Sequence, residues 1–207
     1  MPAGWFELLE TMAYVPGPGL RHEAAHLARL RASAEYFGFP LDVSDVRSRL
    51  HHALAGVRRP TRVRVTTGRT GALTVELRPL PGVSRRPVRL GIAQETVPST
   101  SVWLQHKTTR REAYDERRAR HPDADDVVLV NEHGQLTEST IANLAIRLDG
   151  AWYTPPLAAG CLPGVERAHL VREGRLRERV LLVEHLRSNE GLAVVSSLRG
   201  WRPAALR

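Results

Sequence analysis

Lysine and arginine together number 30 in the 207 residues, and Lys107 is the only lysine, so 29 of these cations are arginine. A guanidinium stays protonated above about pH 12 and is a poor nucleophile, whereas a lysine amine can be tuned by its surroundings to attack a carbonyl and form an imine. In a chain whose surface cations are all arginine, the remaining lysine points to chemistry that arginine cannot perform. A second reactive type is the carboxylate of Glu138, in Gln135-Leu136-Thr137-Glu138-Ser139-Thr140, which follows a strand and a turn at His133-Gly134. Taken alone, it reads as an exposed loop acid.

Further along, Leu162-Pro163-Gly164-Val165-Glu166-Arg167 places a glycine at a helix start, where unpaired backbone N–H groups and the helix dipole favour an anion. Ser196 and Ser197 follow an apolar run and can add hydroxyl donors, and Arg29 can supply a bidentate charge. Each of these features is common by itself. Together they suit a phosphorylated pyridine aldehyde: Lys107 for the imine, Glu138 to keep the ring nitrogen protonated, and the rest for the phosphate.

A competing motif lies nearer the N-terminus. His22-Glu23-Ala24-Ala25-His26 matches H-E-x-x-H, which on a helix sets two histidines on one face as zinc ligands, with the glutamate as general base of a peptidase. Against that reading, the segment sits at a helix start, continues as the amphipathic Leu27-Ala28-Arg29-Leu30-Arg31, and is followed by no glycine-marked third-ligand motif. Solvated or locally hydrogen-bonded histidines are the simpler account, and no metal is expected.

The elements that must carry these residues can be read from periodicity. Residues 5–13 read as a strand, and Pro16-Gly17-Pro18-Gly19 as a turn. A helix from Leu20, with Leu27, Leu30, Ala34 and Phe37 at helical spacing, is stopped by Gly38 and Pro40. A second helix is expected over 44–55, then a hairpin of strands 62–67 and 72–78 around Gly68-Arg69-Thr70-Gly71. Pro79-Leu80-Pro81-Gly82 with Arg85-Arg86-Pro87 is the best linker. Strands then dominate, at 88–93, 127–131, 144–148, 152–154, 180–183 and 192–196, with a turn at Asp149-Gly150 and a helix between Gly164 and Gly174. The expected organisation is a smaller lobe over 1–82, a linker over 83–87, and a larger strand-rich lobe over 88–207 carrying Lys107 and Glu138.

Composition bounds the function classes. The net charge is +8, but the arginines are spread through helices, strands and turns with acids among them, and no nucleic-acid-binding signature is present. Anionic small substrates suit that charge. No apolar run approaches the length of a membrane span, no secretory leader is recognisable, and the single cysteine, Cys161, cannot form an internal disulfide. A cytoplasmic enzyme is the expectation.

Five blocks, in order, resemble the fold-type IV pyridoxal-phosphate enzymes, the class IV aminotransferase family. Phe6-Glu7-Leu8-Leu9-Glu10-Thr11-Met12 is similar to the family's F-E-T strand, and His26-Leu27-Ala28-Arg29-Leu30 with Ser33-Ala34 to its H-L-x-R-L…S-A helix. His106-Lys107-Thr108-Thr109 looks like the Schiff-base segment. Asn131-Glu132-His133-Gly134-Gln135-Leu136-Thr137-Glu138 with Asn143 looks like the segment bearing the pyridine-nitrogen glutamate. Thr154-Pro155-Pro156 with Gly160-Cys161-Leu162-Pro163-Gly164-Val165 completes the set. Within the family, Tyr36-Phe37-Gly38-Phe39-Pro40 and Ser197-Leu198-Arg199-Gly200-Trp201 look most like 4-amino-4-deoxychorismate lyases, especially those fused behind an aminodeoxychorismate synthase. Two departures stand out: the family's strand and turn ahead of the F-E-T segment has no counterpart, and Ser196 stands where lyases often carry asparagine.

The resemblance implies a two-lobed α+β or α/β fold with pyridoxal 5'-phosphate between the lobes, and usually a homodimer. It implies Lys107 as catalytic residue, and Arg29, Lys107, Glu138, Gly164, Val165, Glu166, Ser196 and Ser197 around the cofactor. Thr11, Arg110, Arg111 and Arg199 are the candidates for the substrate. The implied reaction is lysis of 4-amino-4-deoxychorismate to 4-aminobenzoate and pyruvate, in folate synthesis. A branched-chain or D-amino-acid transaminase is the alternative, using the same lysine.

Overall fold

The computed structural model describes residues 5–82, 84 and 86–207. Its contacts divide the chain into two compact units: one runs to Gly82 and also takes in His106–Arg110, and the other holds the remainder. Of the expected linker, Val83 and Arg85 lie outside the described residues, as does most of the Met1–Trp5 segment.

In the first unit, β1 (Leu8–Val15) pairs antiparallel with β3 (Thr61–Thr67), which pairs with β4 (Leu73–Pro79), and the short β2 (Gly19–Leu20) lies on the other side of β1. Alternation in β3 buries Val63 and Val65, as expected for a strand with one face on a core. The helix α1 (Glu23–Phe37) begins three residues after the expected Leu20, because Gly19 and Leu20 are held in the ladder opposite Val15 and Tyr14. It buries Leu27, Leu30 and Ala34 on one face together with His26 and Ser33. Gly38 ends it in the left-handed region at φ +67°, where a residue without a Cβ is favoured, and Phe39 N–H returns to the Ala34 carbonyl at 2.8 Å. Asp42 caps α2 (Val43–Leu54), accepting from Ser44 N–H at 2.8 Å, so that Val46, Leu50 and Leu54 face inward.

The second unit is built on an eight-stranded sheet with β5 (Val88–Ile92), β6 (Asp126–Val130), β7 (Leu136–Ser139), β8 (Asn143–Leu148), β9 (Ala151–Thr154), β10 (Arg177–Glu178), β11 (Gly191–Ser196) and β12 (Gly200–Leu206). The spatial order is β10-β9-β8-β11-β12-β5-β6-β7. Both faces are covered. Val128, Val130, Leu144, Ile146, Leu192 and Val194 join one core cluster, while their neighbours Val127, Leu129, Ala145, Ala193 and Val195 join two others. Burial on both faces is why these strands read as near-continuous apolar runs. The helices are α3 (Val102–Gln105), α4 (Glu112–Ala119), α5 (Val165–Arg172) and α6 (Val183–Arg187).

Four expectations need correction. The run at 180–183 is not a strand: Leu181 drops into the core cluster, Val183 opens α6, and Leu182 makes only an isolated bridge to Gln135. A buried leucine at a loop-to-helix junction imitates a short strand. Glu138 is not a loop acid but lies within β7 and is 4% exposed. Strand β12, which carries Pro203, was not among the expected strands. Finally, Lys107 belongs to the first unit rather than the larger lobe. Lys107 C=O accepts from Leu9 N–H at 3.0 Å, Thr109 N–H donates to Glu7 C=O at 2.9 Å, and Leu8 bridges Thr108. The segment thus adds to the edge of β1 that β3 leaves open.

Candidate active site

Lys107 is carried on this added edge segment, so its backbone is set by β1 rather than by a flexible loop. Glu7 N–H donates to the Thr109 hydroxyl at 2.9 Å, a third tie on the same segment. His106, just before the lysine, meets the Ser33 hydroxyl through Nδ1 at 2.9 Å and stacks on Tyr36 at 4.4 Å between ring centroids. Burial lowers the His106 pKa, which favours the neutral ring.

Next to Leu9 in the same strand, Glu10 anchors Arg29. Its Nε donates to Glu10 Oε1 at 2.8 Å and a terminal nitrogen to Oε2 at 2.7 Å, while His26 Nδ1 meets the same Oε2 at 2.6 Å. Glu10 and His26 are buried and Arg29 is 11% exposed. Burial pushes the Glu10 carboxyl upward, but the Arg29 charge and the hydrogen bonds from His26 and Arg29 outweigh it and hold the pKa at about 2. Glu10 and His26 were absent from the candidate site residues read from the sequence. A buried acid in an apolar strand was the signal available.

This arrangement removes the zinc alternative. His22 lies outside α1, with φ at +55°, so it does not share a helical face with His26. Glu23 turns instead to Arg47 Nε at 3.2 Å and His51 Nε2 at 3.1 Å. Among the described residues no group of three or more His, Cys, Asp or Glu is arranged to hold a metal ion.

In the second unit, Glu138 is surrounded by donors. Tyr114 of α4 donates its hydroxyl to Oε1 at 2.8 Å, Leu162 N–H donates to Oε1 at 3.1 Å, and Asn143 Nδ2 donates to Oε2 at 3.3 Å. The Tyr114 phenol is pushed well above its ordinary pKa by burial and by the Glu138 charge, so it remains a donor. Asn143 Nδ2 also donates to the Leu162 carbonyl at 3.0 Å, which fixes the orientation of its amide. Gly164 precedes α5 and has no side-chain cap; a Cβ there would come within 1.8 Å of Asn143 Oδ1. Val165 and Glu166 occupy the first turn of α5, whose leading N–H groups lack partners within the helix. Cys161, also close enough to feel Glu138, has its thiol pushed up to about 12, chiefly by burial.

The remaining candidates are placed less decisively. Ser196 Oγ accepts from Arg199 N–H at 3.3 Å and so helps shape the β11–β12 turn that contains Ser197. Arg199 is half-buried, and its Nε has no hydrogen-bond partner among the described residues. Arg111 donates to the Thr140 carbonyl at 2.5 Å and lies over the Tyr114 ring at 4.6 Å, which commits it to structure. Arg110 is exposed at the end of the Lys107 segment, and Thr11 is half-buried in β1 opposite Arg64.

A family model described as "Amino-transferase class IV" matches residues 7–206. The chain belongs to this family. A solved structure from Mesorhizobium loti, named "Putative amino-acid aminotransferase", is 38% identical, with a TM-score of 0.92, over 98% of this chain and 100% of that one. A Schizosaccharomyces pombe protein named "Putative aminodeoxychorismate lyase" is 29% identical over 84% of this chain and 79% of its own length. A Mycobacterium tuberculosis "hypothetical aminotransferase" in its PLP-bound form has the same fold, at 24% identity and TM-score 0.84, over 97% of this chain and 81% of that one. The fold is therefore that of the class IV enzymes, and the protein is a pyridoxal-phosphate enzyme, either aminotransferase or lyase.

The residues present fit the cofactor. The first unit offers a lysine on a segment hydrogen-bonded along β1 and an arginine held by Glu10. The second offers a buried carboxylate held by donors and a helix start whose glycine admits Asn143. Among the described residues no helix is long and apolar enough to cross a membrane.

Proposed function

We propose that the protein is a 4-amino-4-deoxychorismate lyase, releasing 4-aminobenzoate and pyruvate. The observation that carries this reading is the likeness to the S. pombe protein over 84% of the chain, with the lyase-like blocks around Tyr36–Pro40 and Ser197–Trp201. The second reading, amino-group transfer to a keto acid, is favoured by the Mesorhizobium loti neighbour at 38% identity. Both use the same machinery, so the distinction lies in the fate of the substrate.

Bound pyridoxal phosphate supplies an electron sink adjacent to the substrate amine. Lys107 would hold it through its side-chain amine. The Lys107 amine then accepts the proton from the ring carbon bearing the amino group. Glu138 serves as the partner of the pyridine nitrogen. Arg29, the α5 start at Gly164, Val165 and Glu166, and the hydroxyls of Ser196 and Ser197 take the phosphate. In the lyase, loss of that proton is balanced by rupture of the bond to the enolpyruvyl oxygen. The departing group gains a proton and becomes pyruvate, and the ring becomes aromatic, so no amino acceptor is consumed. Thr11, Arg110, Arg111 and Arg199 are the candidates for the substrate carboxylates, with Arg111 the least available because of its bond to Thr140. A cytoplasmic homodimer working with an aminodeoxychorismate synthase completes the proposal.

The deciding experiment supplies aminodeoxychorismate as sole substrate and follows 4-aminobenzoate and pyruvate. Product in large excess over enzyme without any keto acid is expected. Keto-acid amination with no pyruvate release would make the transaminase reading correct.

A further inference from the structure

Tyr114 and Asn143 lie in different elements, α4 and β8, yet both end on the carboxylate of Glu138. Neither contact is incidental to packing. Tyr114 is buried among Ala93, Val97, Leu104, Val127 and Leu129, so its hydroxyl has been carried into an apolar cluster and needs a partner there. Asn143, 5% exposed, would lose a buried amide contact if it turned away. The two donors approach different oxygens, Oε1 and Oε2, which restricts rotation of the carboxylate about its last bond. The close fit of Gly164 against Asn143 Oδ1 closes the remaining direction, since any side chain at 164 would displace the amide.

We infer that Tyr114 and Asn143 are positioning residues that orient the Glu138 carboxylate toward the cofactor's ring nitrogen, and that Gly164 is glycine in order to admit Asn143. The inference rests on Glu138 being the ring-nitrogen partner. It gives the Gly164 position a second task besides opening a helix to phosphate. It also links the glutamate-bearing and glycine-bearing motifs, 26 positions apart in sequence, through one amide. Phenol, amide and main-chain N–H are neutral donors. They align the carboxylate through hydrogen bonds that add no positive charge of their own.

The test is a double-mutant cycle on the holoenzyme with Tyr114→Phe, Glu138→Gln and the pair. The readouts are the dissociation constant for pyridoxal phosphate, followed by tryptophan fluorescence, and the pH dependence of the bound cofactor's visible band. Tyr114→Phe should weaken cofactor binding about three- to tenfold, less than the loss of one hydrogen bond to a charged group because Leu162 N–H still holds Oε1, and shift the pH dependence of the band. In the Glu138→Gln background the same change should have little further effect. Asn143→Ala and Gly164→Ala should each move the band in the same direction, and combining them should add little. Independent, additive effects of Tyr114→Phe and Glu138→Gln would overturn the inference while leaving Glu138 as the ring partner. An unaltered band and affinity in Glu138→Gln would instead remove the reading on which the inference rests. A fall in thermal stability with no change in the band would reduce Tyr114 and Asn143 to packing residues, which also overturns it.

Discussion

Two buried glutamates, one in each unit, are met by different kinds of donor. Glu10 is met by a guanidinium and an imidazole, and Glu138 by a phenol, an amide and a main-chain N–H. A charged partner neutralises a carboxylate and spends its attraction internally. Neutral donors only fix its direction. The first arrangement therefore makes Glu10 a strut: it sets the rotamer of Arg29 with two bonds and leaves that side chain aimed by the sheet rather than by solvent. The second fixes the direction of the Glu138 carboxylate through bonds from Tyr114, Asn143 and Leu162. The contrast teaches that a buried acid is read by the charge of its donors, not by its burial, since both are below 5% exposed.

The largest effect that would sharpen this comparison is expected at the segment bonded to the Glu10 strand. Lys107→Arg keeps a cation on the edge of β1 but removes both the covalent hold and the proton acceptor. Turnover should fall by at least about a thousandfold, within the range for losing a general base and nucleophile. Borohydride should no longer fix the cofactor, whereas in the unaltered protein the label should map to Lys107; retained labelling elsewhere would displace it from its role.

Next comes the strut. Glu10→Gln leaves the Arg29 guanidinium and the His26 ring without their anion, and removing one member of a buried pair costs about 3–5 kcal/mol. A clear fall in urea midpoint is expected, and an unchanged midpoint would break the comparison. The sign with pH follows from the lowered carboxyl. Because the folded pKa, about 2, lies below the ordinary 4.5, the stabilisation from Glu10 is fully present above about pH 4.5 and is lost as pH falls toward 2. The stability difference between the unaltered protein and Glu10→Gln should therefore shrink over that interval and stay constant above it.

Arg29→Ala should weaken pyridoxal phosphate binding about tenfold or more, through loss of a charged donor worth roughly 1.5–3 kcal/mol. Unchanged affinity would place the phosphate elsewhere. The smallest effect belongs to the Glu138 side. Cys161, with its thiol at about 12, should stay unmodified by thiol reagents at pH 8 in the folded protein and react on unfolding, as counted by mass. Rapid labelling of the native chain would mean that Cys161 is not buried as described.

Where a residue's role is carried by its own chemistry, the sequence was sufficient. Lys107 was legible because it is the one amine among guanidinium groups, and the helix and strand periods around Leu27, Leu30, Val63 and Val65 record which face is buried. The turn glycines at 38 and 150 likewise report backbone that other residues reach with difficulty. Tertiary structure decided what depends on partners distant in the chain. The unit to which Lys107 belongs follows from backbone bonds to Glu7 and Leu9, about a hundred positions away, and main-chain hydrogen bonds leave no mark on residue type. Glu138 looked like a loop acid because its donors come from Tyr114, Asn143 and Leu162, on other elements. The H-E-x-x-H motif, already set aside in the sequence for want of a third ligand, is unsettled by the same fact: helix spacing holds only where a helix exists, and the backbone at His22 is not helical. Local pattern fixes which groups are available, and only the folded chain brings a donor to an acceptor.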